Sequence, residues 1–156
     1  MAGDLPAIVA IYNAAIPGRL ATADTAPVTV EQRKDWFAAF DAASRPLWVA
    51  ESGGAVLGWL GLRSFYGRPA YHRTVEVALY VAPEARRRGM ARSLLRHAID
   101  TAPGLGISTL LAFVFGHNDA SLALFRQANF ADWGTLPKVA ELDGVERDLL
   151  ILGRRT

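Results

Sequence analysis

Residues 76–99 read EVALYVAPEARRRGMARSLLRHAI: an apolar run, a proline, three arginines, a glycine and then a helical pattern. The run Thr74 to Val81 is rich in Val, Leu and Tyr and reads as a strand that Pro83 ends. From Met90, residues Leu94, Leu95, Ala98 and Ile99 recur on one face of an amphipathic helix, with Arg92, Arg96 and His97 outside. The start of such a helix has N–H groups without partners and about half a unit of positive charge. Adjacent like charges repel, so Arg86-Arg87-Arg88 marks either a solvated loop or the seat of an anion. Gly89 favours the seat, because without a Cβ it lets a phosphate approach the backbone. Successive N–H groups from Arg87 to Arg92 can then cradle a pyrophosphate, with arginine side chains adding forked hydrogen bonds at its rim.

Working outward, Ser108 to Phe115 is an apolar run suited to a buried strand, so strand, helix and strand form a crossover with one parallel pair. Upstream, Leu47 to Glu51 and Ala55 to Leu62 flank Ser52-Gly53-Gly54 and read as a hairpin. Asp4 is placed to cap a helix whose apolar face is Leu5, Ile8, Val9, Ile11 and Tyr12. Thr29 is placed to cap a second helix through about Ala43, with Trp36, Phe37 and Phe40 as its buried stripe. Downstream, Asn118 to Ala128 reads as a short helix. Trp133 to Ala140 and Val145 to Leu152 read as strands turned at Asp143-Gly144. The order α, α, β, β, β, α, β, α, β, β predicts a mixed α/β (α+β) fold. Its sheet is mostly antiparallel with one central parallel strand pair and helices on both faces. No repeat, linker or shift in composition divides the chain, so residues 1–156 are read as a single domain.

Composition narrows the function. The net charge is only +2 and the basic residues cluster locally, which suits a small polyanion better than a nucleic acid. No apolar run approaches the roughly 18 residues of a membrane span, and MAGDLP lacks the features of a secretory signal. There are no cysteines, which excludes disulfides and thiol nucleophiles; a cytoplasmic protein is expected. Three scattered histidines without ligand spacing predict no metal site. Neither GxxxxGK[ST] nor GxGxxG is present, so the P-loop and dinucleotide motifs are set aside.

RRRGMA resembles the [RQ]xxGx[GA] pyrophosphate loop of GCN5-related N-acetyltransferases, with Arg86, Gly89 and Ala91 at the motif positions. NDASLALFRQANF, after the next strand, resembles that family's following helix through Asn118, Ser121, Phe125 and Asn129-Phe130. Three further stretches, DLPAIVAIYNAAI, TVEVALYV and LPKVAELDGVERDLLIL, are similar to the phosphinothricin and methionine sulfoximine acetyltransferase branch. The resemblance implies acetyl-CoA as cosubstrate, with pantetheine along Leu79, Tyr80 and Val81 like an added strand. It implies the pyrophosphate held by the loop and helix start (Arg86, Arg87, Arg88, Gly89, Met90, Ala91 and Arg92), with Asn118 and Ser121 on the other flank. Asn118 equally suits the N-cap of its helix. The chain departs from the pattern in several places. It opens almost at the first helix, so the family's first edge strand is expected to be missing or to precede the sequence. Phe125 stands where many relatives carry the tyrosine proposed as general acid, so that role does not transfer.

Transfer of acetyl from a thioester to an amine needs an unprotonated amine, close approach and stabilisation of an oxyanion. Glu76, a carboxylate inside an apolar strand and at the acceptor site by resemblance, is the candidate base; the alternative is a glutamate on the solvent face of an edge strand. Val77 and Ala78 beside it, with Arg68, Tyr71 and His72 in the loop SFYGRPAYHR, are the candidate acceptor contacts. Arg68 can pair with a carboxylate or be simply solvated. His117 reads as a local hydrogen-bonding residue. The acceptor is expected to be the amine of a small amino acid or analogue. A peptide N-terminus, a polyamine, an antibiotic and a non-catalytic CoA-binding module are the alternatives. The branch also implies a homodimer.

Overall fold

Six strands form one sheet in the order β1-β2-β3-β4-β6-β5. They are β1 (Leu47–Ser52), β2 (Ala55–Ser64), β3 (Thr74–Val81), β4 (Thr109–Phe115), β5 (Ala131–Leu142) and β6 (Val145–Arg155). The α-helices are α1 (Leu5–Asn13), α2 (Lys34–Ala38), α3 (Met90–Thr101) and α4 (Asp119–Gln127). The computed structural model describes residues 2–156. Every pairing is antiparallel except that of β3 with β4, as the crossover requires. The last hairpin turns at Asp143 (φ 50°) and Gly144 (φ 79°), the paired positive φ of a tight two-residue turn.

The parallel pair is short. It runs through Thr74·Thr109, Val75·Leu110 and Glu76·Leu111 and then stops. Beyond that point β3 stays paired with β2 as far as Val81, and β4 with β6 as far as Phe115. The two central strands therefore separate along their shared edge while each keeps its outer partner.

Strand alternation sorts the side chains onto two faces. Val75 and Val77 of β3, with Leu60 and Leu62 of β2, pack against Leu94 and Leu95 of α3 in the larger core. On the opposite face Trp59 packs with Ile8 and Ile11 of α1, and Ala78 and Tyr80 lie against this second cluster. The Trp59 indole N–H donates to the Ile8 carbonyl (3.1 Å), which fixes α1 across the sheet. No helix is long and apolar enough to cross a membrane among the described residues.

Several local expectations change. Asp4 takes the N-cap position of α1, but its side chain makes no capping hydrogen bond. Thr29 does cap: the Gln32 N–H donates to its hydroxyl (3.2 Å), and its own N–H donates to the Gln32 side chain (2.8 Å). The helix that follows ends at Ala38 rather than near Ala43. Asp41 turns the chain there, accepting from the Ala43 N–H and the Ser44 hydroxyl, a local bonding choice that competes with helix. Trp36, Phe37 and Phe40 are consequently half-buried, not fully in a core. The edges of the sheet are β1 and β5; β1 is short and bulged between Ala50 and Glu51, features that blunt an edge.

Gly61 of β2 makes room for the Phe40 ring. A Cβ at that position would lie 2.7 Å from Phe40 Cε1 and 2.8 Å from Cζ. Gly61→Ala should therefore destabilise the fold by about 1–3 kcal/mol, the usual cost of overpacking. Thermal unfolding should show a melting temperature lower by several degrees.

Candidate active site

Where β3 and β4 part, the β3 edge facing β4 has no strand partner, and a groove of about 830 Å³ opens there. Its β3 wall is Glu76 to Val81, and its β4 side includes Val114, Phe115 and Asn118. The unpaired edge presents backbone N–H and C=O groups that need partners, so an extended ligand can add to β3 as a further strand.

One end of this groove is the arginine-glycine turn. Arg86, Arg87, Gly89, Met90, Ala91 and Arg92 line it, and Arg88 does not. Arg87 (φ 62°) and Gly89 (φ 80°) both adopt the left-handed region, which turns the chain sharply into α3. The Ser93 N–H donates to the Gly89 carbonyl (3.0 Å) as the helix begins. The N–H groups of Met90, Ala91 and Arg92 precede it and have no intrahelical acceptor. A Cβ at Gly89 would meet nothing within 4 Å, so its glycine is required by φ, not by crowding. Arg92 also donates to Gln127 of α4 (3.0 Å), spanning the mouth between the two helices. This end fits an anion with several oxygens.

A second cavity, about 290 Å³, lies on the α1 face and adjoins the first. Glu76, Ala78, Tyr80, Phe115 and Ala21 line both. Its remaining wall is largely apolar and aromatic, with Ile8 and Tyr12 from α1, Trp36, Trp59 and Phe113. Two arginines, Arg33 and Arg63, complete it. Glu76 is half-buried and is the one carboxylate in the wall of either cavity, and its side chain makes no hydrogen bond or ion pair among the described residues.

A strap between α1 and α2 closes this chamber. Three successive carbonyls are held by side chains from both arms of the split. The Arg19 carbonyl accepts from His117 Nε2 (2.8 Å), that of Leu20 from Asn118 Nδ2 (2.9 Å) and that of Ala21 from the Tyr80 hydroxyl (2.9 Å). Further on, the Tyr12 hydroxyl donates to Asp24 (2.5 Å), and Arg33 donates to the same carboxylate oxygen (2.7 Å). The Arg33 guanidinium also lies over the Tyr12 ring, 4.7 Å from its centroid. Burial pushes the Tyr80 hydroxyl pKa upward, reinforced by its proximity to Tyr12. Burial also raises that of Tyr12, with the Asp24 hydrogen bond adding to the effect. Both phenols therefore stay protonated and act as donors.

The structure brings together much of the set drawn from sequence and separates some of it. Leu79, Tyr80 and Val81 form the groove wall, and Ser121 lies opposite. Asn118 is buried in that wall, but its side chain is engaged: the oxygen accepts from the Ser121 N–H (3.1 Å) and the nitrogen holds Leu20. Phe125 is buried against Phe130 and carries no polar group into the groove. Val77 turns into the larger core, on the face opposite the chamber. Arg68, Tyr71 and His72 do not line the chamber. Tyr71 stacks edge-on with Phe65, and His72 sits in a separate open depression beside Arg45 and Arg73. The cations of the chamber are instead Arg33 and Arg63. The sequence signal for Arg63 was an arginine ending an apolar strand, two residues after Gly61 and four after Trp59, hence on the same face.

Comparison with known proteins bears on this geometry. The acetyltransferase (GNAT) family profile matches residues 8–130. The Bacillus subtilis protein YwnH, provisionally named a phosphinothricin acetyltransferase, is 51% identical over 152 residues, 97% of this chain and 93% of that protein. An L-methionine sulfoximine/L-methionine sulfone acetyltransferase of Pseudomonas paraeruginosa is 32% identical over 150 residues, covering 96% of this chain and 87% of that one. A solved phosphinothricin acetyltransferase of Sinorhizobium meliloti in complex with AcCoA superposes with a TM-score of 0.93 at 28% identity. The superposition covers 99% of this chain and 84% of that one.

Because Asn118 both caps α4 and braces the strap, Asn118→Ala should cost about 1–3 kcal/mol, a lost cap plus an unpartnered carbonyl. Chemical denaturation should show a lower midpoint with an unchanged slope.

Proposed function

This chain belongs to the acetyltransferase (GNAT) family, and from that premise we propose that it transfers acetyl from acetyl-CoA to the amine of a small amino acid or amino-acid analogue. The observation that carries this reading is the position of Glu76. It is the one carboxylate in either cavity wall, and it stands where the two cavities meet. The relatives named for methionine sulfoximine and phosphinothricin support an acceptor of this size and chemistry. The chamber, at about 290 Å³, lies at the small end of ligand cavities.

Acetyl-CoA supplies a thioester activated towards attack. The residues present fit it: an unpaired β3 edge for the pantetheine, and the Arg86–Arg92 turn with its free helix-start N–H groups for the pyrophosphate. Glu76 takes a proton from the acceptor ammonium, directly or through water, and passes it to solvent. The freed amine attacks the carbonyl carbon; the N–C bond forms, the C–S bond breaks, and the second amine proton ends on the CoA sulfur. The backbone N–H groups of the β3 edge are the donors available to the oxyanion. The second phenol-bearing wall residue, Tyr80, is committed to the Ala21 carbonyl and serves to position the strap.

A homodimer is part of the same proposal. Most residues of β5 are exposed, and Trp133, Leu136, Val139 and Val145 present an apolar surface on the last hairpin. Sedimentation should give twice the 16.9 kDa chain mass, and Val139→Asp should shift the population towards monomer.

Free CoA release, followed over a panel of amino acids, peptides and polyamines, tests the chemistry. Amino acids or their analogues should be the productive group. Glu76→Gln should lower kcat by about 10²–10⁴-fold, the usual contribution of a general base, while CoA still binds by calorimetry. Wild-type turnover in that variant would remove Glu76 as the base.

A further inference from the structure

We propose that Arg63 is the carboxylate anchor of the acceptor site. With Glu76 it makes an amphoteric pair that selects α-amino acids over simple amines. The inference rests on the acetyl-transfer reading above and adds a residue and a selection rule to it.

Arg63 and Glu76 are direct partners in the β2·β3 register. Directly opposed residues of an antiparallel pair point to the same face, with Cβ atoms about 4.5–5.5 Å apart. Both line the chamber, yet no ion pair joins them, and the side chain of Arg63, an exposed residue, makes no hydrogen bond or ion pair among the described residues. The other cation of the chamber is committed: Arg33 is paired with Asp24 at 2.7 Å and lies over the Tyr12 ring. Arg63 is thus the uncommitted guanidinium in a wall whose one carboxylate is Glu76.

The arrangement matches the shape of an α-amino acid, in which ammonium and carboxylate sit on one carbon. Glu76 also lines the groove, whereas Arg63 lines only the chamber. The amine is therefore directed towards the thioester and the carboxylate is held back from it. A guanidinium suits that carboxylate through two parallel N–H···O bonds. The rest of the wall offers a side chain apolar and aromatic surfaces such as Trp36, Trp59 and Phe113, and no further free charge. The selected class is the α-amino acid.

The test compares kcat/KM for L-methionine sulfone with that for 3-(methylsulfonyl)propylamine, the same molecule without its carboxylate. Wild type should prefer the amino acid. In Arg63→Gln that preference should fall by about 10–100-fold, mainly through KM, as loss of a charge-assisted hydrogen bond requires. Arg63→Lys should retain part of it, and Arg63→Glu should lose more than the glutamine variant. Comparing ratios between variants cancels the different basicities of the two amines. An unchanged ratio in Arg63→Gln, with the amino acid still acetylated, overturns the role of Arg63 and leaves the acetyl-transfer reading intact. Wild-type turnover of peptides or polyamines but of neither probe overturns the amino-acid reading, and this inference with it. A shift only in the pH profile of kcat, at constant ratio, would make Arg63 a positioning partner of Glu76 and overturn the anchor.

Discussion

The parallel ladder between β3 and β4 lasts three residue pairs, and the functional architecture follows from where it stops. A central strand edge left open in a packed domain exposes N–H and C=O groups that must find partners. Here each strand keeps its outer neighbour, so the opening costs only the inner ladder and leaves both arms paired. The last pair, Glu76·Leu111, puts a carboxylate at the apex of the split. The groove, the chamber and the residue that joins them are consequences of one interrupted pairing.

The split needs bracing, and the strap from Arg19 to Ala21 supplies it. Its three carbonyls are tied to Tyr80 on one arm and to His117 and Asn118 at the end of the other. The same segment forms part of the walls of both cavities. Spanning the opening and covering the chamber are thus one structural act. The network around Tyr12, Asp24 and Arg33 extends it and pairs the Arg33 guanidinium with a carboxylate.

Much of this was legible in the residues. The Arg86–Gly89 turn, the amphipathic α3 and the final Asp143-Gly144 hairpin are local patterns, and local patterns are set by periodicity and φ preference. Glu76 stood out as a carboxylate in an otherwise apolar strand, and the structure places it where the two cavities meet. The acceptor contacts expected in the loop were less legible. Arg68, Tyr71 and His72 are near Glu76 in sequence, but none of them lines the chamber; Tyr71 packs edge-on against Phe65, which stacks on Phe113 of the chamber wall. Asn118 was expected at the cofactor flank or as a cap; its side chain caps and also reaches Leu20, ninety-eight residues away in the chain.

The sequence by itself determined the order of elements, the single crossover, the arginine-glycine turn and the candidate base. Each is encoded within a few residues, where sterics and hydrophobic period act directly. Only the tertiary structure decided where the parallel ladder ends, which arginines face the chamber and what holds the strap. Those depend on strand register and on contacts between distant segments. A one-residue shift in register moves every side chain of a strand to the other face, and it is register that sets Arg63 opposite Glu76.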